Sequence, residues 1–188
     1  MIDRKKRREA ARYTQPAQNK SPFAWLRLAH TFHAAAVVLH DNANLIPSDS
    51  RPFALNAGYS LELLFKGLLV QDNKPIPTGR TGHDLVALSE LVGLSMSEEQ
   101  NVTLATFSEV IVWLGRYPAP NQEGRWDHYH DVIYEKNVIR ELELVEGQTT
   151  YSVRANPATF ANWDNYNRIW SIGSEKVRVP FKTESPLP

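Results

Sequence analysis

Two charged residues stand inside an otherwise apolar stretch, residues 56–70, Asn-Ala-Gly-Tyr-Ser-Leu-Glu-Leu-Leu-Phe-Lys-Gly-Leu-Leu-Val. Glu62 and Lys66 are four apart with the carboxylate first, the favourable order for an ion pair along a helix. On an exposed helix such a pair contributes roughly 0.2–0.5 kcal/mol. Here Leu61, Leu64 and Leu68 mark one helical face, and Leu63, Phe65, Leu69 and Val70 cover most of the remaining circumference. A helix apolar nearly all round belongs inside a bundle. Burying two charges costs more than most pairs recover. The pair must therefore either line a crevice or anchor the bundle by bonding to other elements. A second set is His30, His33 and His40, which share a face with Val37. Three imidazoles at helical spacing have the form of a metal site, but no carboxylate lies among them before Asp41. The competing reading is half-buried or solvent-facing histidines.

The elements that position these residues can be read in chain order. Ser21-Pro22 is a cap followed by proline at the first helical position, so a helix is expected from there to about His40. Its apolar stripe is Trp25, Leu28, Phe32 and Leu39, with Ala29 and Ala35 at close contacts. A turn region, 41–51, precedes the central helix from Pro52 to about Gln71. After a Pro- and Gly-rich loop, a short helix from His83-Asp84 turns Leu85, Leu88, Leu91 and Val92 inward and stops at Gly93. Ser97 and Gln100 form a capping-box pattern. The helix behind it carries Leu104, Phe107, Ile111 and Leu114 and ends at Gly115. Residues 126–134 read as irregular. For 138–154 a β-hairpin, with strands at 138–145 and 149–154, competes with a continuous helix over 131–145. Asn156-Pro157 reads as a capped start for a last helix bearing Phe160, Trp163, Asn167 and Trp170, and a tail from Val177 reads as extended.

Composition narrows the class. At 188 residues with 42% hydrophobic content the chain fits one domain with a full core. Its net charge is zero, but residues 1–20 hold seven basic side chains (Arg4, Lys5, Lys6, Arg7, Arg8, Arg12, Lys20) against Asp3 and Glu9. That segment is +5 and the remainder −5. A basic arm on an acidic body can contact nucleic-acid phosphate or an acidic partner, or be a solvated terminus. There is no cysteine, hence no disulfide and no thiolate chemistry. No run of fully apolar residues reaches membrane-spanning length, and the basic start lacks the apolar stretch of a secretory signal. A soluble, cytoplasmic protein with no membrane contact is expected. No Gly-rich phosphate loop is present, which argues against a P-loop hydrolase or a dinucleotide-binding oxidoreductase.

With the helices placed, Ser60-Leu-Glu62-Leu-Leu-Phe-Lys66-Gly-Leu-Leu69, then Gly82-His83-Asp84-Leu85, then Gly115-Arg116-Tyr117-Pro118 resemble the HEPN domain family. The resemblance covers about 22–118 and extends more weakly to 157–173. It implies an all-α, four- to five-helix bundle at 21–176. Within it, 119–155 forms an insertion, a small β-hairpin or an irregular segment, between the last two helices. Residues 1–20 would be a flexible basic arm and 177–188 an extended tail. It further implies a protein that dimerises and acts on RNA. Many members are metal-independent ribonucleases of toxin–antitoxin and phage-defence systems, and others are inactive binding modules. Active members carry an arginine, four to six residues, then a histidine. Arg125 and His130 fit that spacing, although Trp126 follows the arginine and the pair precedes the insertion instead of the final helix.

The implied chemistry is coherent. Imidazole suits removal of the 2′-hydroxyl proton near neutral pH, and a guanidinium fork suits a phosphate. The resemblance thus makes Arg125 and His130 the candidate catalytic residues, and Glu62, Lys66, His83 and Arg116 the candidate RNA- or nucleotide-binding residues. The simpler reading makes His83 a helix-start residue bonding nearby backbone and Arg116 a cap over Tyr117. No cofactor and no metal site are expected. RNA, a cognate antitoxin or a nucleotidyltransferase are the expected partners. A homodimer is expected because the aromatic-rich segment 160–170 offers more apolar surface than one core needs. An inactive HEPN-like bundle that binds a protein or a nucleotide is the alternative.

Overall fold

The computed structural model describes residues 3–11, 13–45, 50–145 and 148–179. The fold is mostly helical, with one two-stranded antiparallel sheet. Two short N-terminal helices, α1 (Arg4–Ala10) and α2 (Gln15–Asn19), bury none of their side chains. Asp3, Arg4 to Ala11 and Lys20 thus present the described part of the basic arm to solvent. The expected extended tail beyond Val179, Arg12 of the arm, and Glu146-Gly147 at the hairpin tip lie outside the described residues.

Local signals explain where the long helices begin. α3 (Pro22–Asp41) starts on Ser21, whose hydroxyl accepts the Ala24 N–H, with proline at its first position. α4 (Arg51–Gln71) starts the same way on Ser50. A short 3₁₀ turn, Gly79–His83, leads to α5 (Leu85–Leu91), capped by Asp84, whose Oδ1 accepts the N–H groups of Val86 and Ala87 at 3.1 Å each. α6 (Glu98–Glu109) carries the expected capping box of Ser97 and Gln100 and continues as a π-helical segment, Val110–Leu114.

α4 is the axis of the bundle. Phe53, Ala57, Leu61, Leu64, Phe65, Leu68 and Leu69 are buried among α3, α5, α6 and the last helix, α8 (Trp163–Ser174). Its length and hydropathy would also suit a membrane span, but 72% of that window is buried inside the protein, as a core helix requires. Two glycines let neighbours close on it. A Cβ at Gly67 would fall 2.8 Å from the Leu26 side chain, and one at Gly58 would fall 2.6 Å from Ile111 Cγ2. The close α3–α4 seam overturns the expected stripe on α3. The buried positions are Leu26, Ala29 and Ala36, whereas Leu28 is exposed and Trp25, Phe32 and Leu39 are only half-buried. Alanines take the seam where larger side chains would hold the helices apart, and Leu26 fits there because it packs on Gly67.

Other expectations shift as well. Leu91 does not turn inward; it ends a two-turn helix and is exposed. Residues 126–134 are not irregular. They form α7 (Arg125–His128), a π turn (Tyr129–Ile133) and a 3₁₀ turn (Tyr134–Asn137). Tyr129 and Ile133 pack on Trp113 in a small second core, which supplies the burial that local propensity lacks. The hairpin, not the long helix, follows: β1 (Val138–Val145) pairs with β2 (Gln148–Ala155) in a register from Val138↔Ala155 to Val145↔Gln148. α8 starts at Trp163 on an Asn162 cap, later than the expected Asn156. Asn156 instead turns the chain by accepting the Ala158 N–H, and Thr159 is tied to Lys136 and Thr103. The aromatic segment 160–170 is absorbed internally. Tyr166, Ile169 and Trp170 are buried, and Trp163 stacks on His40 at 4.3 Å.

Candidate functional site

The buried pair on α4 extends into a triad. Lys66 Nζ donates to Glu62 Oε1 at 2.6 Å, and His83 Nδ1 lies 3.0 Å from Glu62 Oε2. The side chains of Glu62 and Lys66 are 8% and 10% exposed, but that of His83 is 51% exposed. His83 therefore bonds across to α4, not to neighbouring backbone. An ionised carboxylate only accepts hydrogen bonds, so the His83 ring donates from Nδ1. When that ring is neutral, its lone pair resides on Nε2.

His83 lines a cleft of about 210 Å³ together with Arg80, Asp84, Ser108, Glu109, Arg125 and His128. Each wall has its own support. Ser108, on α6, accepts the Leu85 N–H at 2.9 Å and donates to the Leu104 carbonyl. Glu109, at the end of α6, receives Arg125 bidentately, with Nε to Oε2 at 2.8 Å and Nη2 to Oε1 at 2.9 Å. Trp113 Nε1 donates to the same Oε2. Arg125 and Glu109 are 10% and 7% exposed, so this is a largely buried, fork-to-carboxylate clamp that pins α7 to α6. A second hollow of about 250 Å³ adjoins the cleft, sharing Ala105, His128 and Ile133 and reaching Lys136. His128 borders both.

The candidate residues from the sequence divide accordingly. Glu62, Lys66 and His83 come together, and Arg125 lines the same cleft as His83. His130 does not line it. The ring packs on Trp126 at 4.4 Å, Tyr129 at 5.1 Å and Tyr134 at 5.6 Å. Arg116 is not among the lining residues either; it donates to the Ile111 and Val112 carbonyls and covers the Tyr117 ring, a cap at the end of the π segment. Three residues that do line the cleft were not singled out: Arg80, Glu109 and His128. Their sequence signals are slight. His128 is three residues after Arg125, hence on the same side of a helical turn, and Glu109 is an acid within an apolar helical run.

The three histidines of α3 do not line the cleft. His33 stacks on Trp170 at 4.2 Å, and its Nδ1 is 2.6 Å from the Tyr166 hydroxyl, which in turn lies 2.8 Å from Ser60 Oγ. Ser60 Oγ donates to the Ala57 carbonyl. Donation from His33 through Tyr166 to Ser60 satisfies every link of that chain. Burial holds His30 and His33 below the usual imidazole range, with His30 lowering His33 further, and burial pushes the Tyr166 phenol up. Among the described residues, no three His, Cys, Asp or Glu side chains gather as a metal site. Compared with known proteins, the chain matches no family model, no curated protein and no solved structure.

Proposed function

We propose that the chain is a HEPN-like, RNA-directed protein that cleaves single-stranded RNA in the cleft between the 79–84 turn, α6 and α7. The observation that carries this reading is the meeting of two imidazoles, His83 and His128, in one cleft with Arg80, the first of them oriented by a buried carboxylate. His83 Nε2 takes the 2′-hydroxyl proton, and the 2′-oxygen attacks the adjacent phosphorus. His128, as imidazolium, returns a proton to the departing 5′-oxygen, so the products are a 2′,3′-cyclic phosphate and a free 5′-hydroxyl. Arg80 is the cation offered to the phosphate, since the Nε–Nη2 edge of Arg125 is turned onto Glu109 and its charge is matched there. Arg125 then positions α7, and with it His128. The basic arm supplies phosphate affinity without sequence preference. In this reading the protein works in the cytoplasm with a cognate antitoxin or nucleotidyltransferase. A homodimer would form through surface other than 160–170, such as the hairpin face with exposed Leu142 and Tyr151.

One observation favours a second reading. The residue matching the family's arginine is engaged by an internal carboxylate, as expected of a bundle that has kept its shape and lost catalysis. An end-labelled, unstructured RNA decides between them. Cleavage that leaves 2′,3′-cyclic phosphate ends, reduced at least about a hundredfold in His128→Ala, is the expected result. Binding without cleavage selects the inactive module, and the absence of both overturns the RNA reading.

A further inference from the structure

A separate cavity, of about 750 Å³, is built from residues that play no part in the cleft: the α2–α3 junction (Asn19, Lys20, Trp25), Val70 near the end of α4, and the loop that follows it. Its volume falls within the roughly 300–1,000 Å³ of small-molecule sites. Both walls are tied by their own hydrogen bonds. Trp25 Nε1 donates to the Asn19 carbonyl at 3.0 Å. Across the cavity, the Lys74 N–H donates to Leu69 O at 2.8 Å, and Lys74 Nζ donates to Leu91 O at 2.7 Å. Asn73 sits in the left-handed region at φ 55°, a conformation that asparagine tolerates better than most residues, and Pro75 and Pro77 fix two further φ angles. A preformed wall lowers the ordering cost of binding.

The lining has two chemistries. Trp25, Val70, Pro75 and Ile76 are apolar, while Lys20 and Lys74 carry the charge, and among the described residues no Asp or Glu lines the cavity. We infer that this cavity binds a small amphipathic anion, with an apolar body against Trp25, Val70 and Ile76 and an acidic head group against Lys20 and Lys74. A cation would meet two like charges, and a neutral apolar molecule would leave the charge of Lys20 unmatched, the Lys74 ammonium already having the Leu91 carbonyl.

The test is a fluorescence titration of the full chain with 1-anilinonaphthalene-8-sulfonate, run beside its neutral analogue N-phenyl-1-naphthylamine. One saturable site for the sulfonate is expected, with the neutral probe roughly tenfold weaker. Lys20→Ala, at an exposed residue, should weaken the sulfonate roughly fivefold and leave the neutral probe unchanged. Ile76→Asp should abolish binding of both while the circular dichroism spectrum stays that of the parent. Equal affinity for the two probes, or sulfonate binding untouched by Lys20→Ala, overturns the inference even if Ile76→Asp fails to fold.

Discussion

Glu62 and Glu109 are the buried carboxylates among the described residues, and each holds a basic side chain, yet the company they keep is different. Glu109 is closed in by the buried Trp113 and the half-buried Arg125, which place three donors on its two oxygens. Glu62 is neutralised by Lys66 from its own helix, and its second oxygen holds a histidine that is half in solvent. The first arrangement holds α7 against α6. The second fixes an exposed ring and leaves that ring's other nitrogen free of the carboxylate. A buried acid next to a cleft is therefore assigned its role by the exposure of its partner more than by its own burial.

The largest effect follows from the closed clamp. Glu109→Ala removes the only side chain among the described residues that Arg125 pairs with and strands a guanidinium in a largely buried site, at a cost of roughly 3–5 kcal/mol. For a chain of this size about 1 kcal/mol moves the melting temperature by roughly 2–4 °C, so a fall on the order of 10 °C is expected. A fall of only a degree or two would mean that water reaches Arg125, and the contrast with Glu62 would vanish.

That contrast was half visible in the sequence. Glu62 and Lys66 stand out because both lie on one predicted helix, and helical periodicity alone makes them neighbours. Caps are equally local, which is why α4 and the Ser97–Gln100 box are legible, whereas alternation leaves the hairpin in competition with a helix over 131–145. Glu109 and Arg125 are sixteen residues apart across a polar loop, and Glu62 and His83 twenty-one, so only tertiary packing unites them. The same limit explains the α3 stripe. Periodicity marks the large residues, but the tight seam selects the alanines. It also explains His130: spacing from Arg125 fits a family pattern, while the turn through Tyr129 carries that ring into the aromatic cluster and leaves His128 in the cleft.

A smaller effect is expected at the open triad. Lys66→Met keeps the alkyl packing but leaves Glu62 with His83 as its sole partner among the described residues. Losing a hydrogen bond between charged groups costs about 1.5–3 kcal/mol. The value should lie below that for Glu109→Ala, because solvent at the His83 side screens the carboxylate that remains. Equal losses measured by urea denaturation in the two variants would show that Glu62 is as dry as Glu109, and would make the triad a second clamp.

The smallest stability change belongs to the residue on which the chemistry depends. His83→Gln preserves a donor to Glu62, since the amide N–H₂ can take the place of the ring Nδ1–H, and the side chain is already half in water. Stability should therefore change by less than about 1 kcal/mol, as for other exposed charge contacts. Glutamine has no lone-pair nitrogen with which to accept a proton, so RNA cleavage should fall by about 10² to 10⁴, the range of a lost general base. Melting and cleavage measured on the same preparation separate the outcomes. Cleavage that survives His83→Gln but not His128→Ala would move the base to α7 and reduce the Glu62–His83 bond to packing. A melting temperature that drops as far as in Glu109→Ala would instead make both carboxylates clamps, and the exposed face of His83 would then have no chemical role.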